Sequence, residues 1–392
     1  MMQASHQQAP AYAKPGNSLD AARFESLSGL LSRDPGNAQL RRDCLQAAIA
    51  SASWIPAEEL ARSILNTSAD DIETRFELAT ALMGRREFAA AAQELRIILT
   101  RRPDIAAAQL NLAMCCYADH GYNEALDLLE ARYATGDCTP TVIRMLVSTL
   151  HHLNQIEHAV DIASHNEAAA RADGPTAGVC ALLFLDVDRS AQAARYAAWA
   201  LAANPDSIDG LTVRATLQAA DLDVPQATAH YRRVLELAPQ NARAWIGLGT
   251  LSLLQQDFSS ARTQLETGLL HMPGHLGSWV VLGWTHLLAG DLPVAQQTFQ
   301  KALELDRTFA ETHGALAAVA ALERRTTEAQ RGIEVALKLD PNCLSAQFAT
   351  AVLSGAAGNP VAARQLIMTT LAGLGAKSSN RTANFINQLA KQ

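Results

Sequence analysis

Apolar and small side chains recur along this chain in a fixed order. From Ala242 to Gly274 the order is Trp245, Leu248, Gly249, then Ala261, Leu265, Gly268 and Pro273. A shift of 34 residues finds Trp279, Leu282, Gly283, Ala295, Phe299 and Ala302. A second finds His313, Leu316, Ala317, Ala329, Ile333, Ala336 and Pro341. The phase holds in both directions without insertion, with starts at Ala38, Ile72, Ala106, Pro140, Gly174, Ile208, Ala242, Leu276, Ala310 and Leu344. The twentieth position is alanine in all ten repeats, from Ala57 to Ala363, and the eighth is Ala or Gly in all but two, Leu45 and Val147. A repeat of this period must be read before any local structure.

Within each repeat, positions 4, 7, 8 and 11 fall on one face of a helix, and positions 20, 24 and 27 on one face of a second. Small residues at positions 8 and 20 mark where two antiparallel helices cross. Prolines at position 32 (Pro103, Pro205, Pro239, Pro273, Pro341) end the second helix, and Pro56, Pro225, Pro293 and Pro360 open it. One such pair cannot bury both of its faces, so stacking must supply the core. The fold class is all-α.

These residue types at this spacing resemble the tetratricopeptide repeat (TPR) family. The resemblance implies a right-handed α-solenoid of antiparallel helix pairs, a TPR-like superhelix whose first helices line a concave groove. The expected organisation is a disordered tail over 1–17, an N-terminal capping helix over 18–37, ten repeats over 38–377 and a C-terminal capping helix over 378–392. Leu27, Leu30 and Leu31 would seat the first cap, and Phe385, Ile386 and Leu389 the last.

Charge narrows the partners. Among 392 residues, 32 Lys and Arg face 39 Asp and Glu, a formal net charge of −7 without a basic stripe, which argues against nucleic acid. Six cysteines with no CxxC suggest neither a disulfide framework nor a zinc site. No apolar run reaches the roughly 18 residues of a membrane span, and residues 1–16 lack the apolar core of a signal peptide. The expected compartment is the cytoplasm. Alanine, at 75 residues, suits closely packed helices, and with Arg favoured over Lys it suits a high-GC bacterium.

The resemblance places positions 2, 5, 9 and 12 of each first helix on the groove wall. The first two repeats supply Gln39, Arg42, Gln46, Glu73, Phe76 and Thr80, a mixed polar surface. Leu110, Met114 and Tyr117 follow, then Arg144, Ser148 and His151, then Leu182, Leu185, Ile246, Leu253, Val280, Trp284 and Leu287. An apolar stripe facing outward calls for a cover. One reading is a protein partner that lays an amphipathic helix or an extended apolar segment in the groove. The other is a tightly wound solenoid that buries its own wall, or a C-terminal helix folded into it. Some family grooves grip acidic C-termini with Lys at position 5 and Asn at position 9. Here those positions read Arg42/Gln46, Phe76/Thr80, Leu110/Met114 and Arg144/Ser148, so that clamp is absent, and Asn111 alone occupies position 6 as asparagine.

Candidate chemistry is sparse. His151, His152, His158 and His165 share one repeat, but His158 and His165 stand about 10 Å apart along a helix, too far for one metal. His286 and His313 occupy core positions and should find hydrogen-bond partners. Asp186-Val187-Asp188 and Asp221-Leu222-Asp223 imitate a DxD motif, yet fall where an aspartate caps the next helix. Cys44, Cys180 and Cys115-Cys116 sit on buried faces as packing. Arg214 at position 7 needs a partner such as Asp209, or must turn outward. With no phosphate loop or nucleophile–base pair, the expectation is no enzyme, no cofactor and no metal. The expected role is a scaffold or adaptor, in a narrower form an accessory protein or chaperone of a bacterial secretion or surface-assembly system. Self-assembly, or regulation of a separately encoded enzyme such as a glycosyltransferase, are the alternatives.

Overall fold

The computed structural model describes residues 18–353, and among these every regular element is an α-helix. The second helix of the last repeat, the 1–17 tail and the 378–392 cap lie outside the described residues. The chain divides into two compact units at Ala169/Ala170.

The first unit begins with α1 (Ser18–Leu31), then pairs α2 (Ala38–Ala50) with α3 (Trp54–Leu65), α4 (Ile72–Gly84) with α5 (Phe88–Arg101), and α6 (Ala106–Ala118) with α7 (Tyr122–Ala134). Helix α8 (Pro140–His152) pairs with α9 (Ile156–His165), and the short α10 (Glu167–Ala172) spans the division. The second unit pairs α11 (Gly174–Asp186) with α12 (Ser190–Ala203), α13 (Ile208–Ala220) with α14 (Val224–Leu237), α15 (Ala242–Leu254) with α16 (Phe258–His271), α17 (Leu276–Leu288) with α18 (Leu292–Leu305), and α19 (Ala310–Leu322) with α20 (Thr326–Leu339). It ends, among the described residues, with α21 (Leu344–Leu353). The ten first helices start at the ten residues that open the sequence repeats.

Asn166 explains why one second helix is broken. It occupies position 27, where other repeats place mostly small or aliphatic residues, and it is buried. Its backbone N–H and its side-chain amide both donate to the Ile162 carbonyl, at 3.2 and 2.8 Å, and the amide also donates to the Tyr133 hydroxyl at 3.0 Å. A side chain that competes for the backbone's own acceptor ends the helix there.

The crossings are as tight as the small residues allow. All nine described alanines at position 20, from Ala57 to Ala329, are 0% exposed. A Cβ added to Gly249 would lie 2.6 Å from Leu265 Cγ, and one added to Gly283 would lie 2.3 Å from Phe299 Cε1. The turn between the helices is equally regular. Position 15 is left-handed in nine repeats: Ala52, Arg86, His120, Asn154, Asp188, Leu222, Gln256 and Arg324 have φ from 56° to 65°, and Gly290 has 87°. The following N–H reaches back five residues, as in Ser53 to the Ala48 carbonyl (2.8 Å) and Asp291 to the His286 carbonyl (2.9 Å). This is the left-handed ending that satisfies the last carbonyls of a helix.

A second periodic device fixes the turn between repeats. The position-4 side chain donates to the carbonyl six residues before it: Arg41 to Pro35, Arg75 to Ala69, Gln109 to Pro103, Trp245 to Pro239 and Trp279 to Pro273, at 2.5–2.8 Å. His313 makes the equivalent bond to the Arg307 carbonyl at 2.8 Å. Position 4 therefore ties each first helix to the end of the preceding repeat as well as filling space.

In the second unit the inner wall is closed around Trp284. Trp284 is 0% exposed and meets Phe299 of α18 and Phe348 of α21 edge-on, with ring centroids 6.0 and 5.4 Å away. It reaches α21 because the intervening α19 carries small residues; a Cβ on Gly314 would lie 2.5 Å from the Ala346 nitrogen. The bond between Arg243 of α15 and Asp186 of α11 likewise skips a repeat, with two N···O contacts of 2.9 and 2.8 Å. Leu182, Leu253, Val280 and Leu287 are buried with these residues. The expectation that this stretch offers an open groove is corrected: the solenoid fills its own wall here.

Candidate functional site

The candidate wall in the first unit is the set of faces of α2, α4, α6 and α8 that position spacing turns away from their second helices. Position spacing puts Phe76 on α4, Leu110, Met114 and Tyr117 on α6, and Arg144 and His151 on α8 along this wall. All six are half-buried, between core and water. Phe76, Met114 and Tyr117 rest on the unit's core, which holds Leu78, Leu82, Leu95 and Leu112. The first helices are tied to one another at this surface. Arg42 of α2 pairs with Asp71, the N-cap of α4, at 2.6 Å, while Asp71 also accepts from the backbone and hydroxyl of Thr74. Tyr117 of α6 lies beside the buried Ser148 of α8. Its ring meets Tyr122 and His152 edge-on, and those two stack 4.6 Å apart.

Charge is uneven along this wall. Glu73 is exposed and Glu77 half-buried on α4. Burial, then the neighbouring Glu73 and Asp71, push the Glu77 carboxyl up to about 7 against the opposing pull of Arg42. Asp71 is held below the usual carboxylate range; its hydrogen bonds to Thr74 and Arg42 outweigh the opposing effect of burial. Glu77 was not singled out in the sequence. Its signal was available: a glutamate at position 6, one residue from Phe76 and four from Glu73.

Two expected wall residues of the second unit, Leu185 and Ile246, are half-buried as well, and Ile246 presses on Gly268 and the Leu265–Leu269–Leu282 cluster. Arg214 is exposed, so α13 turns it outward instead of pairing it with Asp209. Asp223 accepts from the Gln226 N–H as an N-cap of α14, whereas Asp186 serves Arg243 and does not cap α12. Buried thiols stay protonated: desolvation pushes Cys115 and Cys180 up to about 12 and Cys116 to about 11. His165 lies against the Asp161 carbonyl and His158 faces Glu130, and the described residues contain no group of three or more potential metal ligands. A cleft of about 470 Å³ between α16, α17 and α18 is lined by Trp279, Leu282 and His286, with Glu266 and Lys301 both facing it.

Comparison with known proteins agrees with this architecture. Models described as tetratricopeptide repeat match residues 76–140 and 218–279. The chain is a tetratricopeptide repeat protein. Its fold resembles a chain in the crystal structure of the APC/C hetero-tetramer Cut9–Hcn1, with a TM-score of 0.57, 17% identity, and coverage of 86% of this TPR chain and 70% of the other. It is similar to "Cellulose synthase operon protein C" of Komagataeibacter xylinus, 28% identical over 78% of this chain and 23% of the relative. It is also similar to the general transcriptional corepressor ssn6 of Schizosaccharomyces pombe, 29% identical over 34% of this chain and 12% of the relative. The chain thus spans less than a quarter of the length of these curated relatives. No helix among the described residues is long and apolar enough to cross a membrane.

Proposed function

We propose that this protein is a non-catalytic scaffold or adaptor that holds a segment of a protein partner on the wall of α4, α6 and α8. The observation that carries this reading is a set of large side chains, Phe76, Leu110, Met114 and Tyr117, left half-exposed together on adjacent first helices. Apolar surface in that position gains free energy when covered, at roughly 25 cal/mol per Å². The narrower form is an accessory protein or chaperone of a bacterial secretion or surface-assembly system, acting in the cytoplasm. The 28% identity to a protein named for a cellulose synthase operon supports a surface-polymer context, in which regulation of a glycosyltransferase is the second reading.

The test is co-purification from the source organism with wild type and with Met114→Glu and Leu110→Asp. Both substitutions place a charge on half-exposed positions and should leave the helical far-ultraviolet spectrum intact. A partner retained by wild type and lost by both variants supports the proposal. A partner retained equally by all three removes it.

A further inference from the structure

The wall proposed above has a charge pattern that selects among apolar segments, and this inference rests on that reading. Next to Phe76, the α4 face carries Glu73 and Glu77, and Asp71 stands at the helix start. The nearest cation, Arg42, already pairs with Asp71. Arg75 is turned to Glu94 and the Ala69 carbonyl, and Arg41 to the Pro35 carbonyl, so neither answers Glu77. Among the described residues Glu77 has no hydrogen-bond or ion-pair partner. A half-buried carboxyl group beside an uncovered apolar stripe is complementary to a cation carried between apolar side chains. The far end of the wall carries Arg144, a charge of the opposite sign.

We propose that this wall takes an amphipathic segment bearing Lys or Arg, its cation seated between Glu73 and Glu77 and its apolar side chains against Phe76, Leu110 and Met114. The preference is the reverse of a groove that grips a free carboxylate. Glu77 also couples the binding to protons. Its carboxyl, raised by burial, Glu73 and Asp71 and opposed by Arg42, is substantially protonated near neutrality and ionises opposite an incoming cation. Binding of the basic segment therefore releases protons and strengthens as pH rises.

The experiment uses the full chain and three synthetic amphipathic helical peptides with one apolar face and Lys, Gln or Glu at the flanking positions. Binding is read by fluorescence anisotropy at about pH 6 and about pH 8. The Lys peptide should bind about tenfold more tightly than the Glu peptide, a difference of about 1.4 kcal/mol. Glu77→Gln should erase most of that preference and its pH dependence, while Asp127→Asn, on the exposed face of α7, should leave both unchanged. Glu77→Gln removes an uncompensated half-buried acid, so its thermal melt should not fall, and lost preference then reports binding. Equal binding of the three peptides, all lost in Leu110→Asp, overturns the charge inference and leaves the groove standing. A preference that survives Glu77→Gln also overturns it. If no peptide binds and a co-purified partner ignores Met114→Glu, the groove itself is wrong. Sedimentation showing Glu77-dependent self-association instead would assign the wall to a second copy and overturn the proposed occupant.

Discussion

Gly277 and Gly283 stand in the same helix, α17, and replacement by alanine should act on them with opposite sign. At Gly283 the new methyl carbon would lie 2.3, 2.5 and 2.8 Å from three atoms of the Phe299 ring. That ring is 0% exposed and meets the equally buried Trp284 edge-on, so it has little room to retreat. Overpacking of this kind costs about 1–3 kcal/mol. Alanine returns up to about 1 kcal/mol through helix propensity, leaving a net loss of up to about 2 kcal/mol. At Gly277 the nearest atom is His275 Cε1 at 3.4 Å, an ordinary contact. Only propensity acts there, reduced because the position is in the first turn, for a gain of up to about 0.5 kcal/mol. Stacked repeats need not unfold in one step. The assay is therefore urea denaturation followed by far-ultraviolet circular dichroism, paired with native-state hydrogen exchange of the α17 amides. Equal or greater protection in Gly283→Ala, or a shift of the same sign for both variants, would refute the argument that small residues set the helix spacing.

Other consequences follow from the same packing. Leu222 holds φ at 63°, where a Cβ costs about 1–2 kcal/mol, so Leu222→Gly should raise the melting temperature despite glycine's entropy; an unchanged or lower value would contradict this. Trp284→Ala should destabilise the second unit by about 3–5 kcal/mol, because the ring is core and not wall; a chemical denaturation midpoint close to wild type would show otherwise. Trp279→Phe deletes the bond to the Pro273 carbonyl, which should cost about 0.5–1.5 kcal/mol in the same measurement. Glu77 has a folded value of about 7 against an ordinary 4.5, so its ionisation penalises the native state progressively above pH 4.5 and fully above pH 7. Glu77→Gln should therefore leave thermal stability unchanged near pH 4 and raise it near pH 8; a constant difference across that range would remove the assignment.

The repeat was legible because close helix crossings tolerate few residue types. A buried alanine every 34 residues fixes phase, helix starts and pairing at once. What escaped depends on distances between repeats. Whether Trp284 faces water or Phe348 is decided by Gly314 and the alanines of α19, on a helix between them that admits α21. The Asp186–Arg243 pair joins residues 57 positions apart through the rotation between three first helices, which no local pattern records. The position-4 bonds did leave a trace, a donor side chain six residues after proline in Gln109, Trp245 and Trp279, but aromatic residues there read first as core. Asn166 left a similar trace, a polar residue in a position held mostly by small or aliphatic side chains.

The central claim is that the first unit presents an open wall for a partner while the second unit has filled its own. Hydrogen exchange of the full chain, with and without the co-purified partner, tests this most directly. The account predicts added protection in α4, α6 and α8, with α15 and α17 unchanged. Protection confined to α15 and α17, or absent from the first helices of the first unit, would contradict it.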